Sequence, residues 1–551
     1  MPVTLGDALS IMKFTRREIL AAFLGLPFAL AACRPGAEIG AAPAGEIVGA
    51  NVDVGHLLRE NRRWEVAADK WERVKVAIVG GGAAGLSAAW KLQRENFNDF
   101  LLVELEDKIG GTAQSGRNSL IGYPWGAHYL PVPFRENAEL VALLDEMNLT
   151  EGRDAAGEPV VKEQYLCREP EERVFYKGRW YEGLYLHVGE SEDEKRQFAE
   201  FQKQIDFWVN WRGSDGRRAF VLPIAECSRD AEAIALDRLS FGAWLRQKGF
   251  TSERLAWYCD YACRDDYGLK LEQTSAWAGL FYFCSRVRRS GAESQPFITF
   301  PEGNGRFVSH LFERLEERTR LRAVVLEIVP GETSAEIVYL DTATKEVRGI
   351  RAAKAIFAAP VFTAKYLIRD FKQSAPAYLG EFEHNAWFVA NLFLKDRPKN
   401  RFPRDFPLAW DNVVYESPSL GYVNSTHQKG LDYGPAVFTY YYPMCAEENA
   451  RAKLFALTHA ELADIVLTDL TRAHPDIRAL TERIDVMRWG HAMISPRTGF
   501  LWSGARDEAA RPFRGIHFAH SDLSGIALFE EAFYHGVRAA NEVLQSIRAS
   551  G

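Results

Sequence analysis

The chain has 551 residues, a formal net charge of −7, 47% hydrophobic residues and 26% charged residues. This composition is typical of a folded globular protein and excludes a mainly disordered, collagen-like or coiled-coil chain. The acidic balance offers no basic field, so nucleic acid is not expected as a partner. Seven cysteines without a CxxC pair or a paired zinc-ligand spacing indicate neither a disulfide scaffold nor a metal site.

The N-terminus has the pattern of an export signal. Two arginines at 16–17 precede an apolar stretch at 19–32, which as a helix spans about 21 Å and is too short for a bilayer core of roughly 30 Å. This pattern is typical of a twin-arginine signal. Residues 30–33 resemble a bacterial lipobox with Cys33 as the lipidated residue, and ordinary cleavage after Ala32 is the alternative. We therefore expect export to the periplasm or cell envelope and a membrane anchor at Cys33.

A glycine-rich turn follows a flexible tether and leading helix at 33–72. Residues 74–79 form a β-branched run that predicts a buried parallel strand, and residues 86–94 predict a helix. The residues of the intervening turn that we expect to contact a cofactor are Gly80, Gly82, Ala84 and Gly85. In such a turn the first glycine allows a tight bend, the second allows a pyrophosphate to approach, and the third allows helix and strand to pack closely. The helix N-terminus provides free N–H groups for the phosphates.

The segment after the second strand indicates which dinucleotide binds. Glu104 ends a strand 19 residues past the last glycine, where a carboxylate can accept hydrogen bonds from ribose hydroxyls. Gly110 and Gly111 follow six residues later. This arrangement resembles the flavin-containing amine oxidoreductase family, which includes monoamine oxidases, polyamine oxidases and carotenoid-type desaturases. In that family the glycine pair passes close to the flavin, so the resemblance implies FAD as the cofactor.

Three later segments are similar to the same family. The strand at 323–328 carries Val325, for which the resemblance implies a backbone contact with adenine. The segment 354–360 ends in the Ala-Ala-Pro that the family places near the cofactor. A strand ending in Asp522 is followed by a helix at 530–544, and the resemblance implies that this aspartate binds the ribityl chain of FAD.

The chain also departs from the family pattern. Thr112 stands where an arginine usually follows the glycine pair, and the C-terminal acid is reached through His520-Ser521-Asp522, a form that resembles bacterial spermidine dehydrogenases. Segment 385–392 has no lysine, although many amine oxidases hold a water near the flavin with one. The missing lysine, together with the predicted export and membrane anchor, favours a dehydrogenase over an oxidase. The sequence does not specify the electron acceptor, for which O2, a quinone and a cytochrome are the candidates.

Four residues are candidates for the substrate side of the flavin. His128 and Tyr129 lie in the stretch that the family places beside the flavin ring, and both could equally be packed core residues. Trp489 precedes the last strand at the position of a flavin-contacting aromatic residue. His491, with an ordinary pKa near 6.5, could take a proton from a substrate amine or alcohol, or simply bond a carbonyl.

A tyrosine run near the end of another strand has the same ambiguity. Alternation sends Tyr440 and Tyr442 to one face of the strand, where they could sandwich a substrate or belong to the core, and we favour the core. Trp387, Trp410 and His427 could likewise be substrate-facing or buried.

Together these features predict an α/β fold with a Rossmann-like FAD domain assembled from distant segments and a mixed α+β substrate domain. The expected boundaries are 1–32 signal peptide, 33–72 tether and leading helix, 73–135, 296–365 and 486–551 FAD domain, and 136–295 and 366–485 substrate domain. The predicted function is FAD-dependent oxidation of a small molecule, such as an amine, by hydride transfer to flavin N5. A desaturase or isomerase acting on a lipid-like substrate, and a non-catalytic FAD-containing scaffold, are the alternatives.

Overall fold

The computed structural model describes residues 43–59, 64–402, 404–445 and 447–550. The export signal and Cys33 lie outside these ranges and remain expectations. No helix within them is both long enough and apolar enough to cross a membrane. The predicted leading helix corresponds to the short helix Val52–His56, which follows the strand Ile47–Gly49.

A seven-stranded sheet is built from three separate stretches of the chain. Its strands are, in spatial order, Thr319–Arg320, Phe100–Val103, Trp71–Val79, Glu346–Phe357, Ala335–Asp341 and Ala323–Pro330, with Ile516–Phe518 pairing with Glu346–Phe357. Strand Trp71–Val79 is parallel to both of its neighbours. Its residues 76–78 are fully buried, which explains the continuous apolar run, because a parallel sheet is covered on both faces.

The second large sheet in the described part of the chain has eight strands. Its strands are, in spatial order, Ile47–Gly49, Thr481–Ile494, His384–Leu394, Ala436–Pro443, Tyr422–Asn424, Asp411–Val414, Glu172–Tyr176 and Arg179–Glu182. The strand His384–Leu394 is antiparallel to both of its neighbours, Thr481–Ile494 and Ala436–Pro443, whereas Ile47–Gly49 pairs in parallel with Thr481–Ile494. In an antiparallel sheet the two faces can differ, and here one face packs a core cluster around Phe388 while the other presents Trp387 and Val389 to a second cluster.

The remaining elements are short hairpins and helices. Two-stranded pairs join Ser115–Arg117 to Gly122–Pro124, Tyr129–Pro131 to Phe297–Thr299, and Thr150–Arg153 to Pro159–Val161. The longer helices are Ala83–Arg94, Ala138–Glu146, Glu192–Asn210, Phe241–Gln247, Glu253–Tyr267, Ala276–Cys284, Gly305–Phe312, Ala450–Ala456, His459–Thr471 and Phe529–Ser550. The shorter ones are Ala231–Ile234, Ala364–Leu367, Arg369–Gln373, Ile477–Leu480 and Ala505–Ala510.

The predicted C-terminal strand differs from the observed one. The strand ends at Phe518, and Asp522 lies in the turn Ser521–Ser524 rather than on the strand. The side chain of His520 accepts a hydrogen bond from the Asp522 N–H at 3.1 Å. This local bond caps the turn and ends the extended conformation.

The last helix, Phe529–Ser550, packs against the first helix of the seven-stranded sheet, Ala83–Arg94, along much of its length. The contact is closest at Gly536, where an added Cβ would lie 2.2 Å from the backbone oxygen of Ala84. Only a residue without a side chain allows two helix backbones to approach so closely. The C-terminal segment is therefore held against the glycine-rich turn by a backbone contact.

We predict that Gly536→Ala lowers the melting temperature by several degrees. Alanine in a helix interior would by itself gain about 1 kcal/mol, but the clash with the Ala84 oxygen should cost about 1–3 kcal/mol and displace the helix. Thermal unfolding followed by circular dichroism measures this effect. Gly380→Ala is the matched control, since an added Cβ there meets nothing within 4 Å; equal melting temperatures for the two variants would contradict the close contact.

Candidate functional site

A long cavity of about 1450 Å³ lies where the three stretches of the seven-stranded sheet meet. Most residues predicted to bind the cofactor line it, namely Gly80, Gly82, Ala84, Glu104, Gly110, Gly111, Thr112, Val325, Trp489 and Asp522. Gly85 lies behind the lining. The structure thus brings together residues from positions 80 to 522 of the sequence.

The three motif glycines do different things in the turn. Gly80 has a φ of +108°, and a Cβ there would be 2.9 Å from the Ala358 backbone oxygen. A Cβ on Gly85 would lie 1.9 Å from the Gly80 oxygen, so this glycine permits helix and strand to touch. A Cβ on Gly82 would meet nothing within 4 Å. The space beside Gly82 is part of the cavity, at the N-terminus of a helix, where a phosphate group is favoured.

Glu104 lies at the end of its strand with its carboxylate fixed in the cavity wall. The N–H groups of Gly81 and Glu106 donate hydrogen bonds to it at 2.6 and 2.9 Å. Burial raises the pKa of this carboxyl, and the two backbone bonds act in the opposite direction. Each carboxylate oxygen keeps acceptor capacity for a further donor, as a ribose hydroxyl would supply.

Asp522 is buried against two imidazoles. The Nε2 of His384 lies 3.1 Å from its carboxylate, as does the Nδ1 of His520, and the Val361 N–H donates to it at 2.9 Å. Burial alone would raise the pKa of Asp522, but His520 and His384 lower it well below its usual value. The aspartate is therefore ionised next to the cavity. His384 also lines this cavity, although no sequence pattern marks it as a site residue.

The long cavity fits a dinucleotide. It offers an open helix N-terminus at the glycine turn, a carboxylate for ribose and an apolar pocket at Val325. The residues lining it in the described part of the chain include no lysine or arginine; the basic side chains among them are three histidines, His384, His491 and His520. The family usually has an arginine after the glycine pair. Thr112 stands at that position here, and no arginine among the described lining residues takes its place.

A side cavity of about 860 Å³ adjoins the long cavity. Both cavities are lined by Thr112, Ala127, Trp489, Ala492, Ala527, Leu528 and Phe529. Trp489 is held in this common wall because its indole N–H donates to the Trp125 oxygen at 2.7 Å. A molecule in the side cavity would therefore lie against the end of a dinucleotide in the long one.

His128 and Tyr129, predicted to face a substrate, line the side cavity. The His128 ring lies about 5 Å from the rings of Tyr129, Trp410 and Tyr441, and burial among them lowers its pKa to about 3. Burial raises the pKa of Tyr129 well above 10, and its hydroxyl accepts a hydrogen bond from Arg286 at 3.3 Å. Both side chains are thus neutral at physiological pH.

His491 is placed differently from the sequence expectation. It lines the long cavity and not the side cavity, and its ring stacks on Phe362 at 4.2 Å. Burial and the nearby positive groups, Arg451 and His384 among them, lower its pKa to about 3. The assumption of an ordinary histidine pKa was wrong, because the ring is packed inside the protein, and such a weak base is poorly suited to take a proton from a substrate.

The tyrosine run, residues 440–442, lies within the strand Ala436–Pro443. Tyr440 and Tyr442 do share one face, and that face belongs to the core, where the Tyr440 hydroxyl donates to Asp469 at 2.9 Å. The intervening Tyr441 points the other way and lines the side cavity, with its hydroxyl donating to the Gly126 oxygen at 2.9 Å. Of the other ambiguous residues, Trp387 lines the side cavity and Trp410 packs behind it.

The charged residues of the side cavity were missed by sequence reasoning. Three carboxyl groups and one guanidinium line it, those of Asp265, Asp266, Glu530 and Arg286. Asp266 and Arg286 form a buried ion pair at 3.1 Å. The adjacent acids at 265 and 266, near the end of the helix Glu253–Tyr267, were the available signal. Among the described residues, no group of three or more His, Cys, Asp or Glu side chains could hold a metal ion.

The geometry defines a flavoprotein-type site, a dinucleotide cavity with a second cavity at its end. The sequence profile described as flavin containing amine oxidoreductase matches residues 83–544. The chain therefore belongs to the flavin-containing amine oxidoreductase family. It is a FAD-dependent oxidoreductase, and FAD is its cofactor.

Individual relatives are distant. The oxidoreductase PigB of Serratia sp. (strain ATCC 39006) is 22% identical over 289 residues, which are 50% of this chain and 41% of PigB, so the match spans less than half of that protein. A putrescine oxidase solved with bound putrescine has a TM-score of 0.64 and 17% identity, covering 86% of this chain and all of that one. A conjugated-linoleic-acid (CLA)-producing fatty acid isomerase from P. acnes has a TM-score of 0.60 and 16% identity, covering 85% and 98%. At such identities the solved structures establish the fold, and the predicted α/β class is confirmed.

We predict that Gly82→Val leaves the fold intact but removes FAD. A Cβ added at this position would meet no protein atom within 4 Å, so the melting temperature of the FAD-free protein should change little. The added methyl groups would occupy the space where the pyrophosphate approaches the helix. Flavin absorbance per mole of protein after gel filtration measures the loss, with Gly380→Ala as the control; full flavin content in Gly82→Val would contradict this placement.

Proposed function

We propose that the protein oxidises a small amine. The observation that carries this proposal is the side cavity, which shares a wall with the long cavity, has aromatic side walls and contains three carboxyl groups against one arginine. Aromatic faces and carboxylates both attract organic cations. An ammonium compound thus complements this cavity better than an anion or an apolar chain does.

FAD, when bound, would supply the oxidant: as hydride acceptor at flavin N5 it would take the hydride from the carbon next to the amine nitrogen, leaving an imine that water hydrolyses to a carbonyl compound and ammonia, and the electron pair would leave to a separate acceptor. The reacting nitrogen would release its protons to water. The chain binds and orients the amine and excludes bulk water from the reacting carbon.

The residues of the side cavity perform these tasks without a strong base. Trp489 and Trp387, which are paired across neighbouring strands, line the cavity together with Ala492 and Val389. Tyr441 is fixed by its bond to Gly126. Burial in such aromatic surroundings disfavours a charged nitrogen, so the reacting amine is neutral when it enters the wall shared with the long cavity. His128, neutral at physiological pH, lines the same cavity without competing for the proton.

A dehydrogenase with a separate acceptor fits the chain better than an O2-using oxidase. The strand His384–Leu394 supplies Trp387 and Val389 to the side cavity, and no lysine lines either cavity in the described part of the chain. The family's usual water-holding lysine thus has no counterpart there. A quinone or a cytochrome is the proposed acceptor.

The isomerase alternative is supported only by the likeness in fold to the fatty acid isomerase. Arg286 pairs with Asp266, so a hydrocarbon chain would leave the other two carboxyl groups of the side cavity, Asp265 and Glu530, without a cation of their own, and an uncompensated buried charge is costly. An amine is therefore the better match to the same cavity.

We predict that primary amines bleach the flavin of the holoenzyme under anaerobic conditions, whereas fatty acids and polyenes do not. Loss of the flavin absorbance on mixing measures reduction directly. Reduced enzyme should then reoxidise slowly in air and rapidly with a quinone or a cytochrome. Bleaching by unsaturated lipids alone would favour the isomerase or desaturase reading, and reoxidation by O2 as fast as by the other acceptors would contradict a dehydrogenase.

We also propose that the protein is exported by the twin-arginine pathway and anchored by a lipid at Cys33. The supporting features are the paired arginines at 16–17, the apolar stretch at 19–32 and the lipobox-like residues before Cys33. Twin-arginine export carries folded proteins, so FAD could be bound before transport.

We predict that Cys33→Ala moves the protein from the membrane fraction to the soluble periplasmic fraction. Replacing both arginines at 16–17 by lysine should retain it in the cytoplasm. Cell fractionation and immunoblotting distinguish the two outcomes. A Cys33→Ala protein that stays with the membrane would exclude the lipid anchor, and one that is soluble while the wild type is also soluble would favour simple cleavage after Ala32.

A further inference from the structure

The first described segment of the chain, residues 43–59, is attached to the eight-stranded sheet. Its strand Ile47–Gly49 is the edge strand and lies parallel to Thr481–Ile494. Just before this strand, a Cβ on Gly45 would lie 1.7 Å from the backbone oxygen of Ile484. The φ of Gly45 is +145°, a conformation that residues with a side chain rarely adopt. The segment therefore lies on the sheet through a backbone contact that only glycine permits.

Hydrogen bonds and an ion pair stabilise this attachment. The N–H of Ile484 donates to the Ala44 oxygen at 2.8 Å. One pair further along, the N–H of Val486 donates to the Glu46 oxygen at 2.9 Å. The Glu46 carboxylate also pairs with Arg483 at 2.8 Å. The first half of the segment is thus held by regular sheet contacts.

The second half of the segment contacts the seven-stranded sheet. The N–H of Asn51 donates to the carboxylate of Glu106 at 2.9 Å, two residues beyond the expected ribose ligand Glu104. The single helical turn Leu57–Arg59 then packs against the strand Ala323–Pro330. One short segment therefore connects the two large sheets, which meet at the long cavity.

Leu58, in this turn, lines the long cavity. Its side chain is partly buried and packs against the same core cluster as Val325 and Leu367, which also line the cavity. The second half of the strand Thr481–Ile494, with which the segment pairs, contributes further lining residues. The segment is thus joined to two walls of the cavity and adds an apolar side chain of its own to the lining.

The segment also brings positive charge towards a cavity whose described lining has no lysine or arginine. Burial, and after it the positive charges of Arg451, His384, Arg59 and His56, lower the pKa of the lining residue His491 to about 3. Two of these four groups, Arg59 and His56, belong to the segment. Positive charge at this place favours an anionic ligand such as a dinucleotide.

We propose that residues 43–59 are part of the FAD site and keep FAD in the long cavity. Leu58 closes the cavity beside Glu104 and Val325, the residues expected to contact the adenosine part of FAD. FAD is released quickly only when the segment detaches from a sheet, because the contacts of a covering segment must break before the ligand can leave. The inference goes beyond amine oxidation, since it concerns retention of the cofactor whatever the substrate is.

The first test shortens the covering side chain. We expect Leu58→Ala to raise the dissociation rate of FAD roughly 10-fold, because most of its apolar contact is lost. Ultrafiltration of diluted holoenzyme over time measures the released flavin. Leu58→Met, with a side chain of similar size, should keep the wild-type rate. Leu431→Ala is the matched control, since Leu431 is 45% exposed and is not among the described residues that line either cavity.

The second test detaches the segment without changing a lining residue. Gly45 is not among the described residues that line the long cavity, and Gly45→Ala places a Cβ against the Ile484 oxygen. We expect this variant to release FAD roughly 10-fold faster and to increase hydrogen exchange at the N–H groups of Ile484 and Val486. Gly55→Ala is the control on the same segment, because an added Cβ there meets nothing within 4 Å.

Hydrogen exchange of the wild-type protein gives a readout that needs no variant. The amide groups of residues 43–59, including the Asn51 N–H that donates to Glu106, should exchange more slowly with FAD bound than in the FAD-free protein, because FAD in the cavity stabilises the attached form of the segment. Mass spectrometry of the peptides from this segment measures the difference. Equal exchange with and without FAD would overturn the inference.

A purely structural role of the segment has a different signature. Variants at Leu58 and Gly45 would then lower the melting temperature of the FAD-free protein and leave the rate of FAD release unchanged, which would overturn the inference. We expect instead that the rise in melting temperature caused by a fixed FAD concentration is smaller in both variants than in the two controls. If Gly45→Ala does not fold, Leu58→Ala and the wild-type exchange experiment still decide. None of these outcomes affects the proposed amine oxidation, which is tested by flavin bleaching.

Discussion

The site depends on backbones that touch without side chains between them. Helix Ala83–Arg94 packs against the end of the strand Trp71–Val79 because Gly85 has no Cβ that would clash with the Gly80 oxygen. Gly80 in turn passes close to the backbone oxygen of Ala358. The last helix packs against the same turn because Gly536 has no Cβ that would clash with the backbone oxygen of Ala84. Three stretches of sequence thus converge on one turn through backbone contacts. Any side chain at these points would separate the segments and close the space that a pyrophosphate needs.

That convergence also decides where the second cavity lies. Residues 527–529, just before the last helix, form part of the wall between the two cavities, and Trp489 comes to the same wall from the central strand of the eight-stranded sheet. The indole is fixed by Trp125, which belongs to the stretch following the glycine pair. The two sheets are therefore joined at the point where redox chemistry is expected. A wall that is fixed by hydrogen bonds in this way can orient a substrate without a mobile lid.

The sequence predicted the cofactor cavity much better than the substrate cavity. Gly80, Gly82, Glu104 and Gly111 act through local backbone geometry, which a short motif encodes completely, and the parallel strand Trp71–Val79 is visible as an apolar run. The alternation of the tyrosine run was also read correctly, yet which face meets the substrate depends on the partner strands. Tyr441 therefore could not be distinguished from its neighbours, and neither Asp265 nor His384 has a local pattern that places it in a cavity.

The electrostatics of the two cavities are opposed in a way that suits their contents. The long cavity must accept the anionic FAD. The only basic side chains that line it among the described residues are histidines, and two of them, His384 and His520, already contact Asp522. The helix N-terminus at Gly82 therefore carries much of the phosphate interaction. The side cavity concentrates three carboxyl groups around one guanidinium, that of Arg286, which is paired with Asp266. Because buried charge of one sign is costly in the empty state, the free energy recovered when a cation enters is available for binding, and the same carboxyl groups exclude anions from the flavin end.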